Sequence, residues 1–339
     1  VCGPTRASVL TSRYPDTTRG WDLYSNWRNV GGNFTTIPQL FKQHGYHTVG
    51  AGKIFHPGHS SGSRGTVPGH SGKGDDAPYS WSGPFFHAPN LQYWSGKTRR
   101  PGRAGCGNSW IAVTPDAEQQ TPLPGAQIAD HAIAQLANFS ARGIGTQGAS
   151  SSSSDATTQP FFLAVGFHKP HLPFVAPERF FQSYPLDEIN LPEDQDPPTD
   201  IPPVAWSSWG ELRAYLDIAA LGNSGQPGDH LPANVTKALR RAYYAAVTWT
   251  DYNVGRVLAA LDMYGYTNNT VVTFWGDHGW QLGEHGEWCK HTNFDLATNA
   301  PMFVHVPGRT NHGVVSSTPT EFVDLMPTFT DIASDGAFD

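Results

Sequence analysis

The sequence predicts an α/β domain built on a mainly parallel sheet, and three observations carry that prediction. Short, almost uninterrupted apolar runs at 161–167 (FFLAVGF) and 270–275 (TVVTFW) read as strands buried on both faces. Amphipathic helical patterns alternate with such runs along the chain. Polar residues with chemical potential follow the strands at once: Lys53 after 46–51, His168 after 161–167 and Asp277 after 270–275. Ligands of open α/β sheets bind beyond the carboxyl ends of the strands, so three separate segments deliver polar groups to one edge.

The elements follow in order. Residues 35–45 (TTIPQLFKQHG) form a short helix that Thr36 caps, with Pro38 in the first turn and Gly45 at the end. Residues 46–51 (YHTVGA) form a strand. Residues 57–115 are rich in Gly, Ser and Pro and read as a long surface excursion. Residues 127–139 are apolar at helical spacing, and 150–154 is a low-complexity serine linker. Residues 185–210 are a Pro-rich loop. The longest helical pattern covers 234–264, with Ala242, Ala245, Ala246, Val254, Val257, Leu258 and Leu261 largely on one side. Residues 301–306 (PMFVHV) form a further strand, and 320–332 a helix containing Pro327. No internal repeat is present.

Composition bounds the function. The 339 residues suit one large α/β domain or two smaller ones. With 38% hydrophobic and 15% charged residues, a sizeable core forms and global disorder is excluded. A formal charge of -7 without a basic tract argues against a nucleic-acid partner. No apolar run approaches the ~20 residues of a membrane span, and no leader-peptide pattern is present. The three cysteines, Cys2, Cys106 and Cys289, cannot all pair and make no disulfide framework. Four N-x-[ST] sequons, at Asn33, Asn138, Asn234 and Asn268, mildly favour a secretory route.

The chemistry-bearing residues fall in five islands. Cys2-Gly3-Pro4-Thr5-Arg6 opens the chain, with Leu10-Thr11-Ser12-Arg13 behind it. On a helix starting near Pro4, Arg6 returns to the side of Cys2. Lys53 and His56 stand three apart after a strand, where both reach one anionic group. His168 opens His168-Lys169-Pro170-His171. Asp277-His278 closes a strand, and a carboxylate there suits a hard divalent cation. Lys290 follows Trp288-Cys289. Each island alone has a plainer reading: Cys2 as a buried thiol, His171 as a loop histidine, Arg13 as a solvated side chain. Glu284 and His285 read as loop braces, and Cys289 as a small core hydrophobe.

The five islands together resemble the sulfatase family of the alkaline phosphatase superfamily. Six longer runs resemble its iduronate-2-sulfatase branch: 13–19 (RYPDTTR), 52–57 (GKIFHP), 79–81 (YSW), 160–171 (PFFLAVGFHKPH), 283–288 (GEHGEW) and 293–295 (NFD). The resemblance implies a three-layer, alkaline-phosphatase-like sandwich with a large central sheet, and one sulfatase catalytic domain over 1–339. It implies that Cys2 is oxidised to formylglycine by the formylglycine-generating enzyme. Arg6, Lys53, His56, His168 and Lys290 would form the catalytic shell. Asp277, His278 and the modified Cys2 would hold Ca²⁺ or Mg²⁺.

The implied activity is release of the 2-O-sulfate from a uronic acid of a sulfated glycan, in a lysosomal or secreted enzyme. Three departures stand out: Thr5 where the family usually has Ser, Ser12 where it has Gly, and Asp-His at 277–278 where many members have Asp-Asn. The family also carries two metal-binding Asp on a strand ahead of the signature, and a smaller C-terminal subdomain. The expectation is a chain incomplete at both ends, without that strand and most of that subdomain. Two further readings stay open: a phosphodiesterase or phosphonate hydrolase on the same scaffold, and a catalytically silent glycan-binding relative.

Overall fold

The structure, a computed structural model, describes residues 1–62, 74–89, 107–146, 159–310 and 312–334. Cys106 and the serine tract at 150–154 lie outside the described residues.

Five helices and eight strands position the site: α1 (Cys2–Thr11), α2 (Ile37–Gln43), β1 (His47–Gly52), β2 (Trp110–Val113), α3 (Pro124–Ala141), β3 (Phe161–Gly166), β4 (Phe174–Pro177), α4 (Ala233–Met263), β5 (Val272–Trp275), β6 (Gln281–Leu282), β7 (Trp288–Cys289), β8 (Met302–His305) and α5 (Leu325–Ser334). Short helical turns connect them. β1 pairs in parallel with β3, from His47 opposite Phe161 to Gly52 opposite Gly166. β2 pairs in parallel with β4. β5 and β8 are antiparallel, as are β6 and β7. The architecture is α/β as predicted, but the ladders among the described residues are two-stranded, and half of them are antiparallel. The β6–β7 ladder is a short hairpin within the motif at 277–290, and the β5–β8 ladder forms where the chain doubles back after it.

Side-chain alternation along β3 gives the sheet two covered faces. Phe161 and Leu163 pack with Val49 against Leu136 and Phe139 of α3 and Ala260 and Leu261 of α4. Phe162 and Ala164 face the other way, toward Ala7 and Leu10 of α1 and Phe41 of α2. Helix–sheet–helix layering follows directly. A larger cluster surrounds β4 and α4 and holds Trp209, Leu212 and Trp288.

Local signals explain the boundaries. The Thr36 hydroxyl accepts from the Gln39 amide at 3.2 Å and starts α2. α1 begins at Cys2, two residues ahead of the predicted start at Pro4. The predicted helix at 320–332 is divided: a 3₁₀ turn at Phe322–Asp324 leads into α5, with Pro327 in the first turn, where no amide donor is needed. Three expectations are corrected. The described parts of 57–115 are not merely surface, because Ser60, Asp75, Asp76 and Trp81 are buried and β2 lies within the segment. β3 is half-buried rather than fully buried. Leu258 sits on the exposed side of α4. No helix among the described residues is long and apolar enough to cross a membrane.

Candidate active site

The site forms where α1 meets the carboxyl ends of β1, β3 and β5. Cys2 occupies the first turn of α1 and is buried. Arg6, one turn on, faces the same way and joins three segments. Its Nε donates to Asp277 Oδ2 at 2.8 Å, and Nη1 donates to the carbonyls of Lys53 (2.6 Å) and Ile54 (2.8 Å). One planar cation thereby ties the helix to the ends of β1 and β5, with a directionality lysine lacks.

Two glycines let β1 and β3 cross closely enough to aim Lys53. The Lys53 amide donates to Gly166 O at 2.8 Å. A Cβ on Gly166 would meet Lys53 O at 2.0 Å, and one on Gly52 (φ +81°) would meet Gly166 O at 2.0 Å. Lys53 then reaches across, its Nζ donating to Cys2 Sγ at 3.3 Å.

His278 also reaches Cys2, with Nε2 3.2 Å from Sγ. Its Nδ1 lies 2.8 Å from the Gly279 carbonyl, so that nitrogen carries the proton and Nε2 presents a lone pair toward Cys2. Nε2 is also 3.5 Å from Asp277 Oδ1. Sγ, a carboxylate oxygen of Asp277 and Nε2 of His278 lie within 4.8 Å of one another. A carboxylate, an imidazole aimed by a backbone carbonyl and the Cys2 position make one side of a divalent-cation site. The Asp277 oxygen, joined by a Cys2 oxygen once the thiol is converted, suits the hard cation that the resemblance implies, whereas the His278 nitrogen is a softer ligand than such a cation prefers.

Electrostatics distinguish the groups. Burial pushes the Cys2 thiol up, but Lys53, His171 and Lys290 outweigh it and bring it down to about 7. Burial also raises Asp277, yet Arg6 and Lys53 hold its carboxyl well below the usual range. His56 is lowered to about 4 by burial and the charges of Lys53 and Arg6. His278 is lowered to about 4, chiefly by burial against the pull of Asp277. His168 is driven well below 6.5 by burial, with Lys53 and Lys169 adding to it. All three imidazoles are therefore neutral at pH 7.

Cys2, Arg6, Lys53, Asp277 and His278 are in direct contact. His56 and His168 are coupled to this core through the charges of Lys53 and Arg6, and the His56 Nδ1 lies 3.4 Å from Ser60 Oγ. Lys290 comes from the end of β7 and borders, with Asp277, His278 and His291, an open cleft of about 380 Å³. Its ammonium is held by Glu211 and stands 4.5 Å above the Trp280 ring. The Lys169 ammonium turns inward to the carbonyls of His171 and Pro173 and has no part in the cleft. Arg13 donates to Thr11 O and lies over Phe34. Glu284 accepts from Arg240 and the Leu282 amide, and His285 pairs with Asp194, so both brace their loop. Cys289 is a buried core thiol.

Sequence reasoning missed Glu211, His291 and the Trp280 wall. Glu211 is a lone carboxylate in a loop without a motif, and no spacing signal marks it.

The sulfatase family model matches residues 1–335. The chain belongs to the sulfatase family. It is 42% identical over 311 residues to human iduronate 2-sulfatase, a match covering 91% of this chain and 52% of that protein. A sulfatase of Formosa agariphila is 30% identical, covering 98% of this chain and 60% of the relative. This sulfatase-family chain thus spans about half the length of the iduronate 2-sulfatases it matches. The phosphonate monoester hydrolase of Silicibacter pomeroyi shares the fold at TM-score 0.62 and 21% identity, covering 98% of this chain and 63% of the other.

Proposed function

We propose that this protein is a sulfuric ester hydrolase that removes the 2-O-sulfate of a uronic acid from a sulfated glycan, in a lysosomal or secreted setting. The observation that carries this reading is the placement of Cys2. The family's signature cysteine stands at the start of α1, with the Lys53 ammonium 3.3 Å away and the Asp277–His278 donors beside it. When Cys2 is oxidised to formylglycine, its hydrate supplies one hydroxyl to attack sulfur and a second whose deprotonation expels sulfate. When Asp277, His278 and the Cys2 position hold a divalent cation, Ca²⁺ in the leading assignment or Mg²⁺, it supplies positive charge to the sulfate oxygens.

The chain's own residues supply the rest. Lys53 neutralises charge at the attacked group. Arg6 fixes Asp277 and adds a second cation behind it. His56, neutral at working pH, is in the form that takes a proton from the nucleophile. His168 is also neutral in the free protein, so its donation to the departing alcohol requires the substrate's negative charge to raise its pKa. Lys290 lines the cleft from the β7 side.

The modifying enzyme is a partner in this reading. A protein co-expressed with it should yield a Cys2 peptide whose mass reflects replacement of the thiol and one hydrogen by a carbonyl oxygen. It should also release sulfate from a terminal 2-O-sulfated uronate in preference to a 6-O-sulfated glucosamine. An unmodified Cys2 with no turnover would leave a silent glycan binder. Faster turnover of an aryl phosphodiester than of an aryl sulfate would favour a phosphonate or diester hydrolase.

A further inference from the structure

Glu211 lies outside every motif, yet its carboxylate is the centre of a four-membered shell. The Lys290 ammonium donates to both Glu211 oxygens at 2.6 Å. His171 Nε2 is 2.9 Å from Oε1, and His291 Nε2 is 3.1 Å from Oε2. Lys290 Nζ also lies 3.0 Å from His171 Nε2. Trp280 closes the shell, with its ring under the ammonium and edge-on to His171. Burial would raise the carboxyl, but His171, His291 and Lys290 hold it far below the ordinary range, so Glu211 is ionised throughout.

The mount is rigid. Glu211 stands between Trp209 and Leu212, both anchored in the largest core cluster, and Trp209 Nε1 donates to Gly286 O at 2.9 Å. The carboxylate therefore arrives from a loop tied to the same core cluster as β7 and to the β6–β7 turn that leads to Lys290. Lys290 is different in kind. A lysine side chain is long and rotamer-rich and orients nothing by itself. Here it is almost fully buried, and acceptance by both carboxylate oxygens against an aromatic wall leaves it one position, on the border of the cleft beside Asp277 and His278.

We infer that Glu211 is a positioning residue for sulfate ester hydrolysis, fixing the Lys290 ammonium on the border of the cleft beside Asp277 and His278, together with the His171 and His291 rings that share its carboxylate; this rests on the activity proposed above. Glu211 touches neither Cys2 nor the metal donors in this structure and acts through Lys290.

The test uses the full chain carrying modified Cys2, an aryl sulfate as substrate, and the variants Glu211→Gln, Glu211→Asp, Lys290→Ala and the Gln/Ala double. Glu211→Gln keeps size and removes the charge. It should lower kcat by about 10²-fold with a smaller change in KM, as displaced catalytic groups do. The double variant should be no slower than Lys290→Ala alone, because the two residues act as one unit. Glu211→Asp should recover part of kcat. Independent of turnover, mild amine acylation read by peptide mass should leave Lys290 protected in the parent and label it in Glu211→Gln, with other lysines unchanged.

Full kcat in a folded Glu211→Gln variant, or multiplicative losses in the double, would overturn the inference. So would a Lys290 that stays protected in Glu211→Gln. If Gln unfolds the protein, the same readings on Glu211→Asp decide the matter. A parent that is modified yet releases no sulfate defeats the activity reading instead, while the acylation result still decides the placement of Lys290.

Discussion

At the residue scale the site is governed by a few buried charges that depend on one another. Arg6 and Asp277 illustrate it: side-chain exposures of 10% and 14% leave neither ion well solvated, and their 2.8 Å contact compensates both. Removing one partner of such a pair strands the other, at about 3–5 kcal/mol. Arg6→Ala should therefore lower the urea midpoint substantially as well as abolish turnover. Arg6→Lys should not rescue it, because an ammonium cannot reproduce one bond to Asp277 and two to the 53–54 carbonyls. A midpoint unchanged in Arg6→Ala would refute this account. Cys2, Arg6, Lys53, Asp277 and His278 were legible in the sequence because each sits at the end of an apolar run or in a short motif. The aim of the His278 ring was not legible, since it depends on the Gly279 carbonyl.

At the scale of elements, β1 and β3 determine where Lys53 points. Their parallel register ends at Gly52 opposite Gly166, where the backbones approach too closely for a side chain. Gly166→Ala should cost about 1–3 kcal/mol through overpacking. It should also cut turnover more than stability suggests, because the clash falls on Lys53 itself. Equal losses in midpoint and activity from a distant core substitution of similar cost would show that aim is not the issue. The strands at 161–166 and 272–275 were readable as apolar runs. β2 and β4 were not. Trp110–Val113 lies inside a Gly/Ser/Pro-rich stretch, and Phe174–Pro177 follows closely on a proline-containing motif, so tertiary pairing decides both strands against local composition. Glu211 was invisible for a related reason: its role comes from the packing of Trp209 and Leu212, which no periodicity encodes.

At the scale of the whole molecule, loops brought together by the large core cluster contribute a pH dependence of their own. Glu287 is fully buried, next to Trp288 in β7, and its Oε1 accepts from the Ser207 amide at 2.8 Å. Oε2 finds no hydrogen-bond partner among the described residues. Burial raises the carboxyl from 4.5 to about 7, against the lowering effect of the Ser207 and Trp288 amides. A folded-state pKa above the unfolded one means that the folded chain binds the proton more tightly. Stability from this group is thus greatest below pH 4.5, declines as pH rises, and levels off above about 7, a loss of up to about 3 kcal/mol. Glu287→Gln removes the ionisation while keeping the shape. Urea midpoints of parent and variant should nearly coincide at pH 4.5, with the variant clearly more stable at pH 8. A parent–variant gap of the same size at both pH values would sink the assignment. This pH dependence arises from a carboxyl linking the Ser207 loop to β7 rather than from the groups gathered around Cys2.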